Sequence, residues 1–465
     1  MPGIWWIRRD LRLADNPTLI EAIRHGGVVP LFIIDPILAK PDWQRRNHFL
    51  FQGLEVLGAS LAEMGSGLVI RIGKPAKILP VVMAETGADV IYAEEDYTPT
   101  ARSRDASLAT SLPIKFVHGQ TVHPPLFVTK EDGSPYTVYT PFSKKWKSLL
   151  PTQLQPASTP VSLGSPILPA SDALPAHTPS PYFPAGEKEA QRRLNQFAHA
   201  AIHHYAEDRD RMDLDGTSVL SPYLRFGMVS IRQAAAAAMA AQAEARKLGL
   251  DPRGAEVWLN ELIWREFYIN ILYAFPNVMR ESFNPILRNI PWMNDQASFN
   301  AWTNGQTGIP VVDAAMRQLQ ETGWMHNRAR MITASFLVKD MLIDWRLGER
   351  WFWKMLLDAD PAANNGGWQW TAGTGTDAAP YFRVFNPTLQ GQKFDPVGDY
   401  VRRWVPELAK VPTSQIHTPW LLSPMEQQLA GCRIGIDYPA PIIDHAIARD
   451  RVLHAYKSGV ISKER

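Results

Sequence analysis

The sequence predicts a parallel α/β domain followed by an all-α domain. Three observations carry this. The first 120 residues alternate short β-branched runs with longer helical patterns, the arrangement of a parallel sheet covered by helices on both faces. Residues 151–185 hold nine prolines among serine, threonine and alanine, a composition that neither packs a core nor extends a helix. From about residue 187 the apolar spacing is helical. A chain of 465 residues has room for two or three domains at ~100–200 residues each.

The strands expected in order are Ile4–Ile7, Val28–Ile34, Leu68–Ile72, Val90–Tyr92 and Ile114–Val117. Helical patterns separate them, for example Phe49–Met64 and Ala76–Thr86. Asp15-Asn16-Pro17 marks a helix start with proline at the first helical position. The proline-rich stretch marks a boundary, because so long a loop is unusual inside one domain. The expected division is an α/β domain over 1–130, a linker over 131–186 and a helical domain over 187–465. Its helices are Glu187–His204, Ser230–Lys247, Ala255–Ala274, Val311–Thr322, Met325–Trp345 and Glu349–Leu357. The alanine-rich run Ala234–Ala245 is a strong helix former, and plain packing accounts for it.

Composition excludes several classes. The apolar fraction is 45% and the charged fraction 20%, as in folded globular proteins. The net charge of +2 supplies no broad basic field, so a nucleic-acid partner must be argued from local residues. One cysteine, Cys432, excludes an intrachain disulfide or a zinc site of cysteine pairs, and fits a reducing cytoplasm. The N-terminus becomes charged at Arg8-Arg9-Asp10, too early for a signal peptide, and no run approaches the ~18 apolar residues of a membrane span. There is neither a G-x-G-x-x-G nor a P-loop. Tryptophan is abundant at 16, mostly in the second half.

Four segments could carry chemistry. Tyr205 followed by Gly216-Thr217-Ser218-Val219-Leu220-Ser221-Pro222 places small hydroxyl residues before a proline, as at a helix N-terminus that binds an anion or as an ordinary serine cap. In Trp258–Tyr268, Glu261, Trp264, Arg265 and Tyr268 share one helical face at i, i+3, i+4 and i+7. That acid–aromatic–cation face fits a cavity for an aromatic, polar ligand, or a Glu–Arg pair under a half-exposed tryptophan. In Thr322–Met331, Asn327 and Met331 face one way, while Arg328 and Arg330 point elsewhere, one able to reach a phosphate and the other to pair internally. His326 has no second ligand at metal spacing and is expected to be a packed, satisfied histidine. In Asp358–Trp370, Pro361 and Gly366-Gly367 are expected to break the helix, leaving Asp358, Asp360 and Asn364 in a loop that can bond a heterocycle's N–H edge. Paired aspartates also raise a Mg²⁺ site, but no phosphate loop accompanies them; the expected metal content is none.

Together these segments resemble the DNA photolyase/cryptochrome family. The resemblance runs from Trp6-Ile7-Arg8-Arg9-Asp10-Leu11-Arg12 to Tyr381-Phe382-Arg383-Val384-Phe385-Asn386-Pro387. Asn260–Glu266 and Ala362–Trp370 look like the class I cyclobutane pyrimidine dimer photolyases. The resemblance implies a Rossmann-like antenna domain and a helical domain holding FAD. Matching FAD contacts are Tyr205, Thr217, Ser218, Val219, Leu220 and Ser221, then Trp258, Glu261 and Arg265. Arg330, Asp358, Asp360 and Asn364 would surround the isoalloxazine ring. Asn364 would face flavin N5, where plant cryptochromes carry an acid, and Arg330 and Asp358 would form a buried ion pair.

The implied activity is light-driven repair. Excited reduced FAD gives an electron to a flipped-out dimer in DNA, the ring splits, and the electron returns. Trp264 and Trp370 match lesion-pocket tryptophans. Glu261, Asn327 and Met331 match lesion contacts, with Glu261 a stabiliser of the substrate's negative charge while its carboxyl is protonated. Arg209, Arg328 and Arg383 match phosphate contacts. Trp292, Trp345 and Trp368 match the family's electron-carrying tryptophans.

Within the family, a (6-4) photolyase would show histidines at Asn327 and Met331. The chain also ends near the close of the helical core, without the signalling tail common in cryptochromes; both points favour the dimer photolyase, and the complete lesion-pocket set, Glu261, Trp264, Asn327, Met331 and Trp370, speaks against a photoreceptor acting through a protein partner. Folate-type members carry an asparagine–glutamate pair where this chain has Thr100-Ala101. Arg46 and Asp96 sit where deazaflavin-type members bind their antenna, so a deazaflavin is expected ahead of folate, with a second flavin and an empty pocket as open alternatives. A monomer is expected.

Overall fold

Five β-branched runs form one parallel sheet in the order β3-β2-β1-β4-β5: β1 (Gly3–Ile7), β2 (Val28–Ile34), β3 (Val69–Ile72), β4 (Val90–Glu94) and β5 (Ile114–Val117). Ile4 pairs with Val29 on one side and Ile91 on the other. The three central strands are buried along their whole length, which is why they read as continuous apolar runs rather than alternating ones. The computed structural model describes residues 1–39, 43–164 and 166–461; Ser165 of the expected linker and 462–465 of the expected helical domain lie outside it.

Two compact units make up the chain. One comprises residues 1–206 and 217–276, the other 207–216 and 277–465. The first therefore reaches well past the expected boundary at 186/187. It holds the sheet with α1 (Pro17–His25), α2 (Gln44–Glu63), α3 (Pro75–Thr86), α4 (Pro99–Ala109), α5 (Tyr139–Ser148) and α6 (Glu187–His199). After α7 (Tyr205–Asp208), which spans the division between the units, it takes in α8 (Ser221–Phe226), α9 (Ile231–Lys247) and α10 (Arg253–Ala274). Asn16 caps α1 by accepting the Leu19 N–H, with Pro17 next. Ser230 and Gln233 form a reciprocal cap on α9. The Glu187 carboxylate accepts the N–H groups of Leu13 and Ala14, tying α6 to the loop after β1.

The expected linker is more structured than its composition implies. At its start lies α5, with Phe142 and Trp146 buried. Further on it covers the edge strand: Asp172 donates its N–H to Ile70 O and accepts the Ile72 N–H on its carboxylate, both at 2.9 Å. An uncovered edge would invite pairing with another chain.

The second unit contains α11 (Gln296–Thr303), α12 (Pro310–Thr322), α13 (Asn327–Ser335), α14 (Trp345–Met355), α15 (Pro361–Ala372), α16 (Pro387–Phe394), α17 (Asp399–Trp404), α18 (Pro424–Ala430) and α19 (His445–Ile461). Its core gathers Trp302, Met316, Leu337, Trp345, Phe352 and Trp368.

Three expectations need correction. The helix expected over Met325–Trp345 is broken. After α13 the chain widens into one π-helical stretch, Phe336–Asp340, then turns at Leu342 (φ 51°), and α14 restarts under an Asp344 cap. Apolar spacing continues through the break, so periodicity hides it. Pro361 and the glycine pair do not break a helix: Pro361 opens α15, Asp360 caps it through the Ala362 and Ala363 N–H groups, and the helix runs through Gly366 and Gly367. Capping and packing outweigh the ~1 kcal/mol each glycine costs. Finally, α8 is only six residues long and no side chain caps it, so the hydroxyl residues before Pro222 do not form a serine cap.

Candidate active site

In the first unit the site is built on α10. Leu262, Ile263, Glu266 and Phe267 are buried, while Glu261, Trp264, Arg265 and Tyr268 form the half-buried face their spacing predicts. Trp258, one turn earlier, is buried against Phe197 (4.9 Å between centroids), which meets Tyr205 edge-on at 5.7 Å. Thr217, Ser218 and Val219 are half-buried, Leu220 is buried and Ser221 is exposed. Val219 adopts φ 50°, a conformation rare for a β-branched residue. Arg265 donates to Gln120 O at 2.8 Å. Trp264 lies flat on Tyr139, with centroids 3.7 Å apart and planes 4° from parallel.

The second unit supplies a separate set. Arg330 meets Asp358 through two bonds, 3.2 and 2.7 Å, and donates its Nε to Met325 O. Asp358 is buried, so removing Arg330 takes the countercharge from a carboxylate in a poor solvent. Asn364 donates Nδ2 to Glu349 O at 3.0 Å. That bond commits one amide hydrogen and leaves Oδ1 as the side chain's acceptor. The next residue, Asn365, holds the Glu349 carboxylate at 2.9 Å, and burial pushes that carboxyl up to about 7.

Other predicted residues of this unit fall as follows. Asn327 is exposed and Met331 half-buried one turn on, sharing a side of α13. Arg328 binds Asp210 at 2.6 Å and sits 4.3 Å over Phe394. Both arginines of this segment thus pair internally. Arg209 lies 3.8 Å from Asp210. Arg383 is exposed and Trp370 half-buried. His326 is buried; its Nδ1 accepts the Arg328 N–H, and burial pulls its pKa down to about 4, so the ring is neutral. Its Nε2 has no partner among the described residues, so the ring is packed but only half satisfied.

Trp345 and Trp368 are buried and Trp292 is half-buried. Trp368 packs edge-on to Phe352 at 5.0 Å. Gly348, one turn after Trp345, lets α14 approach α15: a Cβ there would overlap the Trp368 ring.

At the carboxyl ends of the adjacent strands β1 and β4, where the strand order reverses, lies a small cavity with room for about one water. Arg9, Arg12, Glu94, Gln120 and Arg265 line it. Burial, with Asp10 adding to it, pushes the Glu94 carboxyl up to about 8. Neither Glu94 oxygen has a hydrogen-bond partner among the described residues. Asp96 is raised by burial, but the Arg9 and Arg8 charges outweigh this and hold it below its usual range. Arg46 is buried and lies 4.9 Å over Trp43.

Sequence reasoning missed Tyr139, Asp210, Gly348 and Glu349. Each acts by contact with a residue far away in the chain, and no spacing rule points to it. Among the described residues no helix is long and apolar enough to cross a membrane, and no cluster of His, Cys, Asp and Glu could hold a metal.

Comparison with known proteins finds two family matches: "DNA photolyase" over residues 3–161 and "FAD binding domain of DNA photolyase" over 258–458. The deoxyribodipyrimidine photo-lyase of Agrobacterium fabrum is 41% identical, covering 98% of this chain and 97% of its own. That of Escherichia coli is 40% identical, covering 97% and 98%. The crystal structure of a bacterial class III photolyase from Agrobacterium tumefaciens matches with a TM-score of 0.91 at 40% identity, over 98% of this chain and 97% of that one.

Proposed function

The chain belongs to the DNA photolyase family, and from that premise we propose how its own residues serve the reaction. The activity is that of a deoxyribodipyrimidine photo-lyase, the light-driven repair of cyclobutane pyrimidine dimers in DNA. One observation carries the site assignment: the half-buried Glu261–Trp264–Arg265–Tyr268 face of α10, which suits neither a core nor open solvent.

The donor set fits FAD. Thr217, Ser218 and Ser221 offer hydroxyls and Arg265 a guanidinium for the diphosphate, with Tyr205, Val219, Leu220 and Trp258 packing beside them. Arg330, held by Asp358, would hold the isoalloxazine ring together with Asp360 and Asn364. Reduced FAD, when bound, supplies the light-driven electron.

The rest is done by side chains. Trp264 and Trp370 offer aromatic faces to the dimer. Stacking at ~1–3 kcal/mol per base offsets the few kcal/mol that base-flipping enzymes, photolyases among them, spend on unstacking. Glu261, when protonated, donates a hydrogen bond to a dimer carbonyl as negative charge builds there. Asn327 and Met331 offer the dimer a polar and an apolar contact. Arg383 reaches a phosphate directly, while Arg209 and Arg328 do so beside Asp210, which keeps their field local. Trp292, Trp345 and Trp368 relay charge between the surface and the interior.

Finer points belong to the same reading. Asn260–Glu266 and Ala362–Trp370 support class I; the class III relative, 40% identical with a TM-score of 0.91, supports class III instead, and a tree of classed relatives decides between them. Arg46 and Asp96 support a deazaflavin antenna, which chromophore extraction and mass spectrometry would identify. The single, buried Cys432 suits a reducing cytoplasm.

The deciding experiment mixes protein, reductant and an oligonucleotide with one thymine dimer, and counts restored thymines in blue light and in the dark. Repair in light alone is expected. No repair in either, from protein that contains FAD, would favour a photoreceptor acting through a protein partner.

A further inference from the structure

We propose that Tyr139 is a positioning residue for lesion recognition: stacked on one face of Trp264, it sets the indole plane so that a flipped dimer meets a single prebuilt face. The proposal rests on the reading of Trp264 as a lesion platform.

The observations lie in the first unit. Tyr139 opens α5, inside the span expected as linker. Tyr139, Phe142 and Trp146 fall at i, i+3 and i+7 and share a face. Each meets α10. Trp146 Nε1 donates to Glu266 at 2.6 Å, Phe142 packs on Phe267 at 5.3 Å, and Tyr139 stacks on Trp264. The first two contacts are buried and anchor the helix; the third is half-buried and borders the α10 face. Tyr139 also donates its hydroxyl to Asn260 O at 2.8 Å. That carbonyl lies one turn before Trp264, so the phenol is fixed to the helix that carries the indole.

A planar ring has two faces. Tyr139 occupies one of them, and Phe267 meets the ring edge-on at 5.6 Å. A pyrimidine that stacks on Trp264 therefore takes the opposite face. A tryptophan without such backing samples several ring orientations and loses that freedom only on binding. Ordering it beforehand moves the cost from binding to folding. The expected signature is affinity for the lesion, without a change in general DNA binding.

The test uses the FAD-containing protein. Affinity is measured for an oligonucleotide with one thymine dimer and for its undamaged counterpart, together with repair yield per bound dimer. Tyr139→Leu should weaken dimer binding about 3- to 10-fold, the scale of one aromatic pair, and leave undamaged binding unchanged. Tyr139→Phe, which keeps the ring, should restore dimer binding to within about twofold. In a Trp264→Leu background, Tyr139→Leu should cost nothing further. If the leucine variant loses FAD, Tyr139→Met carries the same comparison. Wild-type dimer affinity in the leucine variant would overturn the proposal, as would full additivity with Trp264→Leu. Tighter binding would show instead that Tyr139 competes with the base. If Trp264→Leu alone binds dimers like the wild type, the platform reading falls, and this proposal with it; if it binds weakly while Tyr139→Leu does not, only the proposal falls.

Discussion

Gly348→Ala tests how closely α14 and α15 must approach. Two terms oppose each other. Alanine inside a helix is favoured over glycine by ~1 kcal/mol. Against this, the new Cβ would overlap the Trp368 ring and a methyl of Leu337. Trp368 has little space to retreat into, because Phe352 and Trp302 meet it edge-on at 5.0 and 6.2 Å. Overpacking of this kind costs ~1–3 kcal/mol, and a rigid ring trapped between two others belongs at the upper end. The net loss is then about 2 kcal/mol. The second unit has roughly 200 residues, for which that loss corresponds to a fall of ~4–8 °C in Tm. Gly367→Ala is the control. Gly367 lies within α15, where a Cβ would meet nothing within 4 Å, so only the propensity term acts and stability should rise by up to ~1 kcal/mol. Thermal melting followed by circular dichroism measures both variants. A Gly348→Ala protein as stable as the wild type would refute the packing argument, and with it the claim that glycine is there to admit the indole.

Other predictions concern the site. Glu261→Ala should lower repair per absorbed photon about tenfold, the scale of one hydrogen bond to a charged group, with FAD content unchanged; an unchanged repair yield would remove Glu261 from the chemistry. Trp345→Phe should block light-driven reduction of oxidised protein while sparing repair by protein already reduced, and reduction at the wild-type rate would exclude Trp345 from the relay. Glu94 controls a pH effect. Its carboxyl titrates near 8 in the folded protein, far above its ordinary value, because burial disfavours the charge. The folded state therefore holds a proton that the unfolded chain has lost, and stability should fall as pH rises from about 4.5 to about 8. Glu94→Gln should flatten the Tm profile across that window; an unchanged profile would mean that Glu94 does not titrate there.

Much of this protein was determined by the sequence alone. Val28–Ile34 and Ile114–Val117 are strands with the bounds their β-branched runs predict, and Asn16-Pro17 starts a helix where capping chemistry says it should. The half-buried face of α10 follows from 3.6-residue spacing. These are local properties, set by neighbours within a turn or two. The family too was legible from motifs along the whole chain. Tertiary structure alone decided what local rules do not reach. Only packing shows that α5 is a helix in the span expected as linker, because its support comes from Phe267 and Glu266 more than a hundred residues away. Only packing places Arg328 on Asp210, commits Asn364 Nδ2 to Glu349 O, and requires glycine at 348. Period and composition record how a residue sits on its own helix; its partner on another element depends on the whole fold.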